Sequence, residues 1–136
     1  MTRRVIIVHT IEHVESALAA AAESGKPVIL QSAPEAIFYA GSLYLLHMYG
    51  QAKKYHPGVS SRFILDCGDA GAEAVAALQL GHMFLRSSAP PEIREKLADI
   101  AGQIGAELIS GEYEALDLLP YEDTKDLCIQ WLKEAA

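Results

Sequence analysis

Short unbroken apolar runs alternate with longer amphipathic stretches along this chain. The runs at 5–8, 28–30, 63–65, 83–85 and, more weakly, 108–109 are too short for helices, and they predict five strands. Their lack of polar alternation is what a parallel sheet covered on both faces requires. Helical periodicity fills the gaps. Ile11, Val14, Leu18, Ala21 and Ala22 share one face of a first helix, with Thr10 placed to cap its start and Gly25 to end it. Leu45, Met48, Tyr49 and Ala52 form a second stripe, and Ile93, Leu97, Ile100 and Ile104 form another, entered through Pro90 and Pro91. Asp69 is placed to cap a short alanine-rich helix over 72–80. Near the end, Leu127, Trp131 and Leu132 fall on one helical face.

The resulting order is βα repeated four times, a fifth short strand and a C-terminal segment. Right-handed crossovers between parallel neighbours leave two architectures: a truncated, TIM-barrel-like half-barrel with a mostly parallel five-stranded sheet, or an open doubly wound sheet. The length of 136 residues favours one α/β domain over the whole chain, against ~250 for a complete eightfold barrel. An arc of sequential strands would leave edges and an inner face to cover. Residues 112–136, with Tyr113, Leu116, Leu118, Leu119 and Tyr121, are the segment expected to cover them or to exchange with a second subunit.

Composition narrows the function. The formal net charge is −7, and the basic residues form no run longer than Arg3-Arg4 or Lys53-Lys54. Nucleic acid and anionic membrane are poor partners for such a chain. The apolar run at 5–8 is too short to span a bilayer, and the N-terminus has no signal-peptide pattern, so a cytoplasmic protein is expected. Cys67 and Cys128 lack CxxC spacing and read as reduced thiols.

In either architecture chemistry belongs at the C-terminal ends of the strands. The residues there are His9 and Thr10, Gln31 and Ser32, Asp66 to Asp69, Arg86 to Ser88, and Ser110 to Glu112, while Lys26, Ser61 and His82 fall at the opposite, ordinary edge. Arg86 with Ser87 and Ser88, near the following helix, suits a carboxylate or phosphate. Asp66 and Arg86, on neighbouring strands, also read as a partly buried ion pair. The sequence from Gly68 to Gly71 lacks a phosphate-loop lysine and a GxGxxG pattern, and reads as a tight turn. The aromatic group Phe38, Tyr39, Tyr44, Tyr49 and Tyr55 reads as helix packing, pocket lining or an oligomer contact.

From Thr10 to about Ser88 the chain resembles the first half of the class II, metal-dependent fructose- and tagatose-bisphosphate aldolases. The likeness is carried by Lys26-Pro27-Val28-Ile29-Leu30-Gln31-Ser32-Ala33-Pro34, by Tyr39-Ala40-Gly41, and by Tyr55-His56-Pro57 leading into Ile64-Leu65-Asp66-Cys67-Gly68. The resemblance implies that Asp66 matches the family's proton-transferring aspartate. At the next position, where the family has a zinc-binding histidine, stands Cys67. Ile7 and Ala33 replace an asparagine and a serine, and Arg86-Ser87-Ser88 replaces aspartate-glycine-serine.

These departures lead to the expectation of a degenerate aldolase-like half-barrel, more a binding protein than an enzyme, that self-associates as a homodimer or higher assembly. Its ligand would be a small phosphorylated or carboxylated metabolite held by Gln31, Ser32, Asp69, Arg86, Ser87 and Ser88. No cofactor is expected. Two alternatives stand beside it. One is a metal-dependent carbon–carbon lyase completed by oligomerisation, with Asp66 catalytic and a divalent ion such as zinc on Cys67 and His9. The other is a regulatory protein-interaction module. No lysine stands at a strand's C-terminal end, which disfavours a Schiff-base aldolase.

Overall fold

The computed structural model describes residues 4–134. Five strands were expected, and the sheet has six: β1 (Arg4–Val8), β2 (Val28–Ser32), β3 (Ser61–Asp66), β4 (Phe84–Arg86), β5 (Glu107–Ile109) and β6 (Glu114–Asp117). They lie in the order β5-β4-β3-β2-β1-β6, and every pairing is parallel. The missed strand, Glu-Ala-Leu-Asp, is short and mixed in polarity, so it lacks the apolar run that marks the others. It is identified by its partner: Arg4 to Ile7 of β1 match Glu114 to Asp117 residue for residue.

The helices are α1 (Ile11–Ser24), α2 (Ala36–Tyr39), α3 (Ser42–Lys53), α4 (Gly71–Leu80), α5 (Pro91–Gln103) and α6 (Thr124–Glu134). β1 to β5 advance in one direction, so right-handed crossovers put every connecting helix on the same face. α1 packs on α3, α3 on α4 and α4 on α5, while α6 packs on α1 from the other side. This single helical layer rules out the doubly wound alternative. No described helix is long and apolar enough to cross a membrane.

The two sheet faces have separate cores. Ile6, Val8, Leu30, Phe63, Leu65 and Leu85 point into the helical layer, where they meet Val14, Leu18, Leu45 and Leu97. Val5, Ile64 and Ile109 form a smaller cluster on the opposite face, joined by Ile7, Ile29, Phe84 and Tyr113. This second cluster follows from strand alternation in a sheet that is apolar on both sides.

The connection from β5 to β6 reveals the sheet's curvature. Those strands are opposite edges of the sheet, yet only residues 110–113 join them. Five strand spacings would set the edges of a flat sheet ~24 Å apart. The five residue steps from Ile109 to Glu114 can span only ~18 Å. The sheet is therefore rolled into an arc, and the short connection crosses its concave face. Tyr113 sits in that connection, packs on the inner cluster and donates its hydroxyl to Gln31 Oε1.

Local signals were met unevenly. Thr10 Oγ1 accepts from the His13 backbone N–H at 3.2 Å, and Gly25 ends α1 at φ 64°. Asp69 does not cap α4, which has Ala70 as its N-cap and no side-chain cap bond. α6 turns Thr124, Cys128 and Leu132 inward, whereas Trp131 is only partly buried. Trp131 lies 3.7 Å beneath the Arg4 guanidinium, which also donates to the Trp131 carbonyl. His82, expected at the surface, is buried and donates from Nε2 to the Ser42 carbonyl at 2.7 Å. Burial holds its pKa below the usual histidine value.

Candidate functional site

Three strands bring ionisable groups to the C-terminal edge of the arc. Register pairs Asp66 at the end of β3 with Arg86 at the end of β4. The expected ion pair between them does not form: none of the ion pairs among the described residues joins the two. Arg86 Nη1 donates instead to the Gly111 carbonyl at 2.9 Å, and its guanidinium lies 4.4 Å over the Tyr113 ring. The connection that crosses the concave face has drawn the arginine toward itself.

Asp66 Oδ1 accepts the Gly68 N–H at 2.9 Å, in a turn that Gly68 enters at φ 54°. Burial raises the Asp66 pKa above its ordinary value of 3.8, outweighing the Gly68 hydrogen bond and the charge of Arg86, which both lower it. Its ionised form is therefore better solvated in the unfolded chain. Above pH 3.8 the folded state binds the proton more tightly, and stability falls as pH rises through the window up to the raised folded value. Asp66→Asn keeps an acceptor for Gly68 and removes the charge. It is expected to raise Tm at pH 7, with the gain vanishing below pH 3.8; equal Tm values for variant and parent at neutral pH would contradict this.

The other expected site residues are dispersed. Gln31 is buried beneath the connection and receives the Tyr113 hydroxyl. Ser32 is fully buried and accepts the Asp66 backbone N–H at 2.9 Å, so it ties β2 to β3. Ser87 Oγ donates to the Gly68 carbonyl at 3.3 Å and accepts the Ala89 N–H at 3.1 Å. The Ser88 N–H bonds the same Gly68 carbonyl at 2.8 Å. Asp69 is exposed in the turn, and α5 starts at Pro91, beyond both serines.

The class II resemblance implies a metal, and these residues do not fit one. Cys67 is fully buried in the cluster under the helices, not on the concave face. Burial, helped by Asp66 and Glu73, pushes its thiol up to about 12, which disfavours the thiolate that binds metal. His9 Nε2 donates to Asp117 Oδ1 at 2.7 Å, and its backbone N–H donates to His13 Nδ1 at 3.0 Å. Among the described residues no group of three His, Cys, Asp or Glu side chains is placed to hold a metal ion.

A cleft of ≈ 510 Å³ opens at this edge between the ends of β4 and β5 and the start of α5. Arg86, Ser87, Arg94, Glu95, Ser110 and Gly111 supply its polar lining, and Pro91, Leu108 and Ile109 its apolar walls. Two guanidinium groups, one carboxylate and two serines thus line the same cleft. Sequence reasoning missed Arg94 because it lies inside a helix rather than at a strand end. It also missed Asp117 as the partner of His9, because that contact depends on the unrecognised β6.

Comparison with known proteins agrees with this architecture. No family model matches the chain. A plasmid fructose-bisphosphate aldolase of Cupriavidus necator is 35% identical over 74 residues, which are 54% of this chain and 21% of that protein. A crystal structure from Coccidioides immitis, assigned as a fructose-1,6-biphosphate aldolase, superposes with a TM-score of 0.63 and 20% identity, covering 89% of this chain and 47% of its own. The YdjI aldolase of Escherichia coli K12 gives a TM-score of 0.65 and 18% identity, covering 79% of this chain and 44% of its own. The chain thus spans less than half the length of these relatives. In sequence and in its six-stranded parallel α/β fold, it resembles part of a class II-like fructose-bisphosphate aldolase.

Proposed function

We propose that the chain is an aldolase-like binding protein that has given up metal-dependent aldol chemistry, self-associates, and holds a small phosphorylated or carboxylated anion at the strand ends. The observation that carries this reading is the pair Arg86 and Arg94 lining one cleft. A guanidinium presents five N–H donors in a planar fork suited to phosphate or carboxylate. Arg86 spends Nη1 on Gly111, and the remainder of its fork is available to a ligand. Self-association is supported by β5 and β6, which are the two edges of the sheet, and by aromatic side chains left on the surface.

Inorganic phosphate is the simplest probe. Titration of the full chain, followed by two-dimensional NMR, is expected to move the amide signals of residues 86–88 and 110–111. Arg94→Ala should weaken phosphate binding about tenfold or more, the loss of roughly one charge-assisted hydrogen bond. Among the described residues no hydrogen bond or ion pair joins the Arg94 side chain to the connection, so this variant separates ligand binding from folding. Shifts that map elsewhere, or an affinity unchanged in Arg94→Ala, would refute the cleft as the anion site.

A further inference from the structure

We infer that copies of this chain join head to tail, the loop 118–123 of one seated on the α2 and α3 surface of the next. The inference rests on the self-association proposed above and goes beyond it by naming both surfaces.

The receiving surface has an unusual charge. In a chain of net charge −7, no Asp or Glu occurs between Glu35 and Asp66, and α3 ends on Lys53 and Lys54. Its apolar residues are far from buried: Phe38 is 58% exposed, Tyr39 71%, Leu43 49% and Tyr44 57%. Along α3, Tyr44, His47, Gln51 and Lys54 follow at helical spacing and are all exposed. The surface therefore runs from an aromatic end to a cationic end.

The loop after β6 has the complementary character. Leu119 is 63% and Tyr121 48% exposed, and Glu122 and Asp123 follow directly. Its shape is fixed beforehand. Leu118 is fully buried, the Leu119 N–H donates to Asp117 Oδ1 at 2.9 Å, and the Tyr121 N–H donates to the Leu118 carbonyl at 3.1 Å. A preformed loop gives up little conformational freedom on docking.

Within one chain the two surfaces cannot meet, because α1 packs between α6 and α3. Contact of like with like is disfavoured: two receiving surfaces would oppose lysines, and two loops would oppose carboxylates. Loop on helix face joins apolar to apolar and acid to base. Each copy carries one of each, so the contact is heterologous and propagates to a ring or an open chain.

The test uses two blocked proteins. One carries Tyr44→Glu and Lys54→Glu; the other carries Leu119→Glu and Tyr121→Glu. Matching far-UV circular dichroism establishes that both fold like the parent. In sedimentation velocity over a concentration series, the parent is expected to grow in size, and each blocked protein to dissociate about thirtyfold or more readily. Mixing the two leaves one intact loop and one intact receiving surface, and should restore a 1:1 dimer that grows no further. A parent that stays monomeric overturns self-association itself. A parent that associates, with blocked proteins that associate equally well, overturns only this pairing. Two monomeric blocked proteins that fail to combine exclude the head-to-tail arrangement.

Discussion

Leu65→Ala is expected to cost about 2–5 kcal/mol of folding stability, the range for truncating a fully buried leucine. Leu65 lies in β3, with β2 and β4 on either side, and is fully buried beneath the helical layer. Strands paired on both sides cannot collapse inward to fill a lost side chain, so the cavity persists and the cost belongs in the upper part of that range. Domains of this size are stable by about 5–15 kcal/mol, so the variant approaches marginal folding. Urea denaturation of parent and variant gives the difference directly. A change below about 1 kcal/mol would mean that this core is looser than the burial of Leu65 indicates.

Tyr113→Ala is expected to cost about 3 kcal/mol, near the lower end for a large aromatic side chain because Tyr113 is only partly buried. Three contacts disappear together: packing on the concave cluster, the hydroxyl bond to Gln31, and the face beneath Arg86. Gln31, itself buried, loses the donor to its amide oxygen. Tyr113→Phe removes only that hydrogen bond and should cost about 1–2 kcal/mol, which separates the polar part from the packing part. Hydrogen exchange provides a second readout, since amides of residues 110–117 should exchange faster in Tyr113→Ala while those of β3 keep most of their protection. Uniform acceleration across the sheet would show that the connection is not a separate unit of stability.

Most of the scaffold could be read from local pattern, because its elements carry their own signals. The apolar runs marked β1 to β5, and Thr10 and Gly25 marked the ends of α1. β6 escaped because pairing with β1, rather than composition, makes it a strand. The site was less legible for the same reason. Asp66, Arg86 and Gln31 were placed at the correct edge by the topology. What Arg86 and Gln31 bond to was decided by a four-residue connection from the far side of the sheet. Cys67 shows the limit of adjacency: next to Asp66 in sequence, it faces the opposite layer because successive strand residues alternate. Arg94 and Asp117 became site candidates only when α5 and β6 were set in space.

β6 on the outer side of β1 also bears on how such an arc could enlarge. A closed ring of parallel strands requires a free hydrogen-bonding edge on its first strand, to receive the last one. Here β1 has already received the chain's own last strand, Glu114 to Asp117, so the open edges are those of β5 and β6. Tandem duplication of the chain would therefore have to join its two arcs through β5 of one and β6 of the other, because neither first strand is open. Excision of β6 is thus a prerequisite for any descendant, natural or designed, in which two such arcs fuse through their first strands into one cylinder.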